Sequence, residues 1–485
     1  MARKSLTRPR SPLLPSKRPA LSPCFEVEDS STIRISAAGL VRGTQPREVA
    51  PQAARLASQF VRLNKGALAA VGASVSPQFD GSSVSLSIQA GATIGAIPLV
   101  SPTTGRADYG LVIRPRFDWR GIGTMLGEMG WRVVPSILNM PMLPRSERRV
   151  PPWVLSSILL QRLEALLSQL QRQFETTFEI RTAPRGRIDW GDYATRRLPR
   201  GSFLEVPCHF PDLRDDRELK AAIHYCLNKI RDGLESQRTA GAFVLQLIDL
   251  CANLTERVRA VPPKQPHPSH IQAWERGAAI ATESYQRGLQ AIEWVTDDRG
   301  LAGLSDLQGL PWMISMDKFF EAWGEAILES VAQKVGGVLR AGRRNQTIAP
   351  LAWSPPYLGS QRYLLPDLVL ERGDWTLIVD AKYKHHWEEL QHNRWTDLGD
   401  ELRERHRDDI LQVLAYANLS TSKRTIVCLA YPCQRTTWDS LRERGRLFHR
   451  ASLNAGERSI ELLLTAFPMG VQREVIAAQV ARQVA

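Results

Sequence analysis

The segment Leu364 to Lys384, LLPDLVLERGDWTLIVDAKYK, constrains this chain more than any other. Two apolar runs flank the turn-forming Arg372, Gly373 and Asp374, so the segment is expected to fold as a β-hairpin. Asp367 then falls on the first strand, and Asp380 with Lys382 on the second. Because strand side chains alternate, Asp380 and Lys382 project from one face, about 6–7 Å apart along the backbone. Ile378 shares their parity, whereas Leu377, Val379 and Ala381 face the other way. Two carboxylates and an ammonium thus gather at the rim of an apolar sheet.

Phosphodiester hydrolysis asks for such a set. Carboxylate oxygens bind Mg²⁺, with Mn²⁺ as an alternative ion, and leave coordination positions for water and phosphate. A lysine beside them can orient the attacking water or meet the charge that develops on the phosphate. An Asp-x-Lys tripeptide alone is more often a solvated ion pair. Pro366-Asp367 upstream, across a short hairpin, moves the balance toward a metal-dependent nuclease. Two further features point the same way. Gln412 and Tyr416, in DDILQVLAYA, stand at i and i+4 and share one face of a helix that can reach back over the sheet. In MDKFFEAWGEAILES, Glu321, Glu325 and Glu329 occupy successive turns, with Phe319, Phe320, Trp323 and Ile327 available for packing. One glutamate can complete a metal shell, although helical glutamates at this spacing usually form a solvated face.

The chain has 485 residues, which predicts two to four domains, and 63 Lys plus Arg against 50 Asp plus Glu leave a net charge of +13. That charge fits a polyanionic partner, and equally fits mere solubility. No apolar run approaches the ~18 residues of a membrane span. Six scattered cysteines without a CxxC argue against zinc and disulfides and for reduced thiols in a cytoplasm. The expected architecture is mixed α/β in several units: a basic flexible tail at 1–24, a β-rich domain at 25–148, a mainly helical region at 149–309, and an α/β domain at 310–485. The apolar spacing predicts one helix from Trp153 to Phe174, and the proline cluster Val261 to His270 reads as a linker. From residue 310 the order is a helix (Met316 to Val335), the hairpin, a polar helix (Gly399 to Leu419), a buried strand (Thr425 to Tyr431) and another strand (Ser459 to Phe467), which implies a parallel crossover. No Gly-Lys-Ser or Gly-Lys-Thr occurs, so no P-loop is present, and GIGTMLGEMG lacks the context of a dinucleotide site.

Helix Glu, Pro-Asp, Asp-x-Lys and Gln-x-x-x-Tyr, in that order, resemble the PD-(D/E)XK nuclease superfamily in its QxxxY branch. The phrases MDKFFEAW, LLPDLVLERGDWTLIVDAKYK, RDDILQVLAYA and CLAYP resemble the McrC-like nuclease subunits of McrBC-type restriction systems, with weaker likeness in RPRFDWRGIGTML and PRGRIDW. The resemblance implies a restriction-endonuclease-like C-terminal domain, with Asp367 and Asp380 as metal ligands and Lys382 as the catalytic lysine. Glu321 would be the helix acid, with Glu325 its competitor, and Gln412 and Tyr416 would be supporting residues. It also implies a DNA endonuclease of anti-phage defence that leaves 5′-phosphate and 3′-hydroxyl ends. Such a subunit works with a separate AAA+ GTPase, to which the N-terminal domain docks, and the missing P-loop fits that division of labour.

The remaining candidates are weaker. Arg185, Arg187, Arg196 and Arg197 lie with Trp190 and Tyr193 in RTAPRGRIDWGDYATRRLPR, a composition that can hold nucleic-acid phosphates or reach a partner's nucleotide site, or simply form a solvated loop. His385 and His386 read as an exposed strand end rather than metal ligands, and Cys428 as core. Two other functions compete: a non-catalytic adaptor that stimulates a partner AAA+ NTPase, and a DNA-binding scaffold whose affinity depends on salt rather than metal.

Overall fold

The computed structural model describes residues 24–40, 49–80, 83–141, 151–170, 172–277, 282–301, 309–384, 399–455 and 458–484. The tail before Cys24, and His385 with His386, lie outside them. The chain is mixed α/β with several sheets.

In the N-terminal region a five-stranded sheet runs in the order Cys24–Glu28, Tyr109–Arg114, Thr93–Leu99, Trp312–Ser315, Ser136–Ile137. A second sheet holds Thr32–Ser36, Ser83–Gln89 and Ser74–Asp80. A 22-residue helix, Val49–Ala70, stands in the region read as β-rich. Ala53, Ala57, Phe60, Asn64 and Leu68 form its buried stripe at helical spacing. Buried Asn64 accepts from Val100 N–H at 2.6 Å and donates to Val100 C=O at 3.0 Å, so its amide is satisfied and the helix is tied to the end of a core strand.

The middle region packs the helices Trp153–Gln169, Arg217–Glu235, Ala242–Val258 and Glu283–Thr296. The first ends at Gln169, and Phe174 belongs instead to an antiparallel ribbon, Arg172–Arg181 with Val206–Asp215. The proline cluster gives way at Pro268 to the helix Pro268–Gly277, where proline fills a first-turn position that needs no amide partner. Gly121, Gly123 and Gly127 of GIGTMLGEMG serve packing. A Cβ on Gly123 would come within 2.6 Å of the Phe243 ring, so the helix Trp119–Glu128 approaches Ala242–Val258 more closely than any side chain would allow.

The C-terminal sheet has six strands, Val338–Ala341, Leu368–Arg372, Trp375–Ala381, Arg424–Cys433, Arg458–Pro468 and Phe448–Ala455 in spatial order. Trp375–Ala381, Arg424–Cys433 and Arg458–Pro468 are mutually parallel, and the helix Asp400–Ala417 lies on the crossover between the first two. Both faces of the central strands are covered, which is why they read as continuous apolar runs. The helix Met316–Val335 is capped by Ser315 Oγ, which accepts from Lys318 N–H. It buries Phe319, Phe320, Trp323, Ile327, Leu328 and Val331, each worth roughly 1.5–3 kcal/mol of transfer free energy. Its preceding strand, Trp312–Ser315, belongs to the N-terminal sheet, paired antiparallel with Thr93–Leu99.

Candidate active site

The hairpin forms around Gly373, which takes φ +54° at the first position of a two-residue turn between paired Arg372 and Trp375. Asp367 precedes the first strand rather than lying in it, since pairing begins at Leu368. It is held from across the hairpin, where its Oδ2 accepts from Ala381 N–H at 2.9 Å. Asp380 is the penultimate residue of Trp375–Ala381 and is 1% exposed, with Lys382 just past the strand end. Their shared parity is realised: Lys382 Nζ lies 2.9 Å from Asp380 Oδ2.

Gln412 and Tyr416 share a helical face and join this pair. Lys382 Nζ donates to Gln412 Oε1 at 2.8 Å, Gln412 Nε2 donates to Tyr416 Oη at 2.9 Å, and Tyr416 Oη donates to Leu365 C=O at 3.4 Å. A continuous relay thus runs from the lysine, along the helix, to the backbone two residues before Asp367. The lysine ammonium is held by groups on both sides of the crossover.

The electrostatics are unbalanced. Burial raises the Asp367 carboxyl above the usual range, and the Asp380 charge raises it further, with Glu321 adding to the effect. Asp380 is likewise raised by burial, against the opposing pull of Lys382. Glu321, half-buried on Met316–Val335, is raised by burial and then by Glu325 and Asp380, against Arg343. Asp367, Asp380 and Glu321 therefore repel one another in a poorly solvated place. Among the described residues no three His, Cys, Asp or Glu side chains form a ready-made metal cage. The donor chemistry nonetheless fits a hard divalent ion, because such an ion takes oxygen from one or two carboxylates and completes its shell with water and phosphate.

Glu325 is occupied elsewhere. It is 1% exposed, and it pairs with Arg343 at 3.0 Å, Arg344 at 2.5 Å and Arg132 at 3.6 Å. Of the two competing glutamates, Glu321 is the one that faces the aspartates.

Two residues of this neighbourhood were not singled out from the sequence. Lys384 Nζ contacts both oxygens of buried Asp409, at 2.7 and 2.8 Å, and Tyr431 Oη donates to the same carboxylate at 3.2 Å. The signal was available, since Lys384 shares the parity of Lys382 and Asp409 stands three residues before Gln412 on its helix. Cys428 is core, its thiol pushed far up by burial, and none of the six cysteines forms a disulfide.

The arginine-rich stretch lies apart from these residues, on the ribbon of the middle region. Arg185 stacks on Phe210 at 4.3 Å, and Arg187 lies in the short strand Arg187–Ile188. Arg196 pairs with Asp192 at 3.3 Å, and Arg197 with Glu205 at 2.6 Å. Around them Trp190, Phe203 and Leu204 are 63–72% exposed. Among the described residues no helix is long and apolar enough to cross a membrane.

Comparison with known proteins follows the same line. No curated protein matches the chain. The solved structures that match include the following two. One is a half-complex from the tetradecameric assembly of Thermococcus gammatolerans McrB AAA+ hexamers with bound McrC, at 13% identity and TM-score 0.42, covering 95% of this chain and 100% of that one. The other is the Thermococcus gammatolerans McrBC complex, at 14% identity and TM-score 0.26, covering 64% and 88%. A family model described as the McrBC 5-methylcytosine restriction system component matches residues 142–432. With over half its length so matched, the chain belongs to that McrBC family.

Proposed function

We propose that this chain is a Mg²⁺-dependent DNA endonuclease subunit of a restriction complex, with a PD-(D/E)XK domain at its C-terminus. It works with a separate AAA+ GTPase resembling McrB. The observation that carries the reading is the pairing of two buried, mutually repelling carboxylates, Asp367 and Asp380, with a lysine fixed between Asp380 and Gln412. A fold has no stability reason to gather such groups, because buried like charges destabilise it unless something of opposite sign arrives.

Asp367 and Asp380 would hold the ion, with Glu321 at its edge. When bound, the divalent ion supplies an acidified water and offsets charge on the phosphate. Lys382 presents its ammonium from the same face as Asp380 and meets the negative charge that develops on the phosphate oxygens. Gln412 fixes the direction of that ammonium, and Tyr416 fixes Gln412 through the bond to Leu365. Support for the partner comes from the family and from the chain's own lack of a Gly-Lys-Ser/Thr loop. The exposed Trp190, Phe203 and Leu204, with Arg185, Arg187, Arg196 and Arg197 beside them, are the surface we assign to the partner or to DNA.

The test is plasmid cleavage by the purified chain with its AAA+ partner, Mg²⁺ and nucleotide, comparing wild type with Asp380→Ala and Lys382→Ala. Loss of cleavage in both variants, with folding and partner binding retained, is the expected result. Equal cleavage by all three proteins would refute the assignment. If no protein cut modified or unmodified DNA while each stimulated the partner's GTPase, an adaptor role would replace it.

A further inference from the structure

Lys382 and Lys384 turn toward Asp380, Gln412 and Asp409, and Tyr383, of opposite parity, turns away from them into the N-terminal region. Its ring is 3% exposed, and its hydroxyl donates to Asp29 Oδ2 at 2.8 Å. Asp29 follows the strand Cys24–Glu28 and is fully buried. Its Oδ1 accepts from Arg116 N–H at 2.6 Å, and its own N–H donates to Arg114 C=O at 2.8 Å. The Arg116 guanidinium lies 4.3 Å from the centre of the Tyr383 ring, with Nε 3.6 Å from Asp29 Oδ2. Phe117 and Phe320 pack on other sides of the same ring, at 6.2 and 6.1 Å. One residue beyond the proposed catalytic lysine, the strand end is therefore gripped by a buried ion pair more than 260 residues away in sequence.

This grip is not what stability alone would select. All three Arg116 side-chain nitrogens are buried and make no hydrogen bond of normal geometry among the described residues. A buried pair so poorly satisfied is commonly no better than apolar residues of the same volume. What it does supply is geometry. The paired register of Trp375–Ala381 with Arg424–Cys433 ends at Ala381 opposite Ala430. Lys382 has one further backbone bond there, from its N–H to Ala430 C=O at 2.9 Å. Beyond that, the sheet offers no further register, and the next anchor along the chain is the Tyr383 side chain.

We propose that Asp29 and Arg116 are positioning residues: through Tyr383 they fix the backbone at Lys382, so the N-terminal region sets the aim of the lysine ammonium. The inference rests on the nuclease reading, and it makes the placement of Lys382 depend on the N-terminal region. Asp317, at the start of Met316–Val335, lies within electrostatic range of Arg116, Lys382 and Lys384, which places the grip beside the site.

The experiment compares full-length wild type with Tyr383→Phe, Asp29→Asn, the double variant and Lys382→Ala, each with the AAA+ partner. Single-turnover cleavage rate, DNA affinity and melting temperature are measured, and the crystal structure of Tyr383→Phe is determined. The expected result is a rate lowered about tenfold to a hundredfold in Tyr383→Phe and in Asp29→Asn, the scale of a misplacement near 1 Å. DNA affinity should hold, the double variant should be no slower than the worse single variant, and Lys382 Nζ should be displaced from Asp380 and Gln412 in the crystal. A rate that is unchanged, or that falls only in step with the folded fraction, overturns the inference. So does a Tyr383→Phe crystal with Lys382 in place, whether or not cleavage is obtained. If Lys382→Ala cleaves like wild type, the nuclease reading itself has failed.

Discussion

Two carboxylate groups sit one helical turn apart on Met316–Val335, and they are treated in opposite ways. Glu325 and Glu329 are saturated by Arg132, Arg343 and Arg344, so the protein supplies their counter-charge. Glu321 instead faces Asp367 and Asp380, where the pull of Arg343 does not offset burial and the neighbouring acids, and Lys382 is shared by Asp380, Asp367 and Asp409. The first cluster is finished when the chain has folded. The second is left short of positive charge, and that deficit separates a structural acid from one available to a ligand. Residue type and helical spacing are the same in both, so what distinguishes them is what the rest of the chain brings to each face.

That contrast can be broken in four ways, from the largest effect to the smallest. Asp380→Ala and Lys382→Ala should each lower the cleavage rate by at least about a hundredfold to a thousandfold. Glu325→Gln should leave residual chemistry per folded molecule near wild type, and single-turnover assays on both sets would expose any exchange of roles. Next, Mg²⁺ should stabilise the wild type by about 2.7 kcal/mol at a hundred times its dissociation constant. That gain should vanish in Asp367→Asn, read by urea unfolding with and without the ion, whereas a gain retained there would remove Asp367 from the metal shell. Glu325→Gln should cost about 2 kcal/mol in the same unfolding assay. That is less than breaking a fully buried pair usually costs, because Arg344 is 50% exposed.

The smallest effect concerns Glu461, another acid that the protein neutralises itself. A hydrogen bond from Arg424 at 2.6 Å, with Arg450 at 2.7 Å, holds its carboxyl below the usual glutamate range. A depressed folded-state pKa contributes stability that is present above the unfolded value near 4.5 and is lost as pH falls through the folded value. Glu461→Gln should therefore cost under about 1 kcal/mol at pH 7 and progressively less as the pH falls below 4.5, as melting curves across that range would show.

The C-terminal half was the more legible in the sequence, and the reason is physical. A hairpin with Gly373 at its turn, a strand buried on both faces and a helix with large apolar residues at helical spacing each carry a local signal. Those signals coincide with the observed elements to within a residue or two, and the resemblance to McrBC-type proteins agrees with the family found. Val49–Ala70 was missed because only Phe60 and Leu68 of the five residues in its buried stripe are large and apolar, the others being two alanines and an asparagine that periodicity of large side chains does not register. The ribbon Arg172–Arg181 was merged into the preceding helix, although the alternation of Phe174, Thr176, Phe178 and Ile180 has the period of a strand. At the candidate site, the structure brings Asp367, Asp380, Lys382, Gln412 and Tyr416 together as their local spacing implied. Nothing local marks Asp29 or Arg116, whose contacts with Tyr383 exist only once the first strand and the strand carrying Asp380 are brought together.

The strand Trp312–Ser315 completes the N-terminal sheet and runs without a break into the helix that carries Glu321. The two halves are therefore not interchangeable cassettes. A hybrid joined after Ser315 would meet its new helix with a foreign cap and entry angle. One joined before Trp312 would import a foreign strand between Thr93–Leu99 and Ser136–Ile137, and a poor match there would bare a long apolar sheet edge to other molecules. Recombination between relatives should thus preserve residues 312–315 together with the strands on either side, so that inheritance of the chemistry and inheritance of the N-terminal sheet go together.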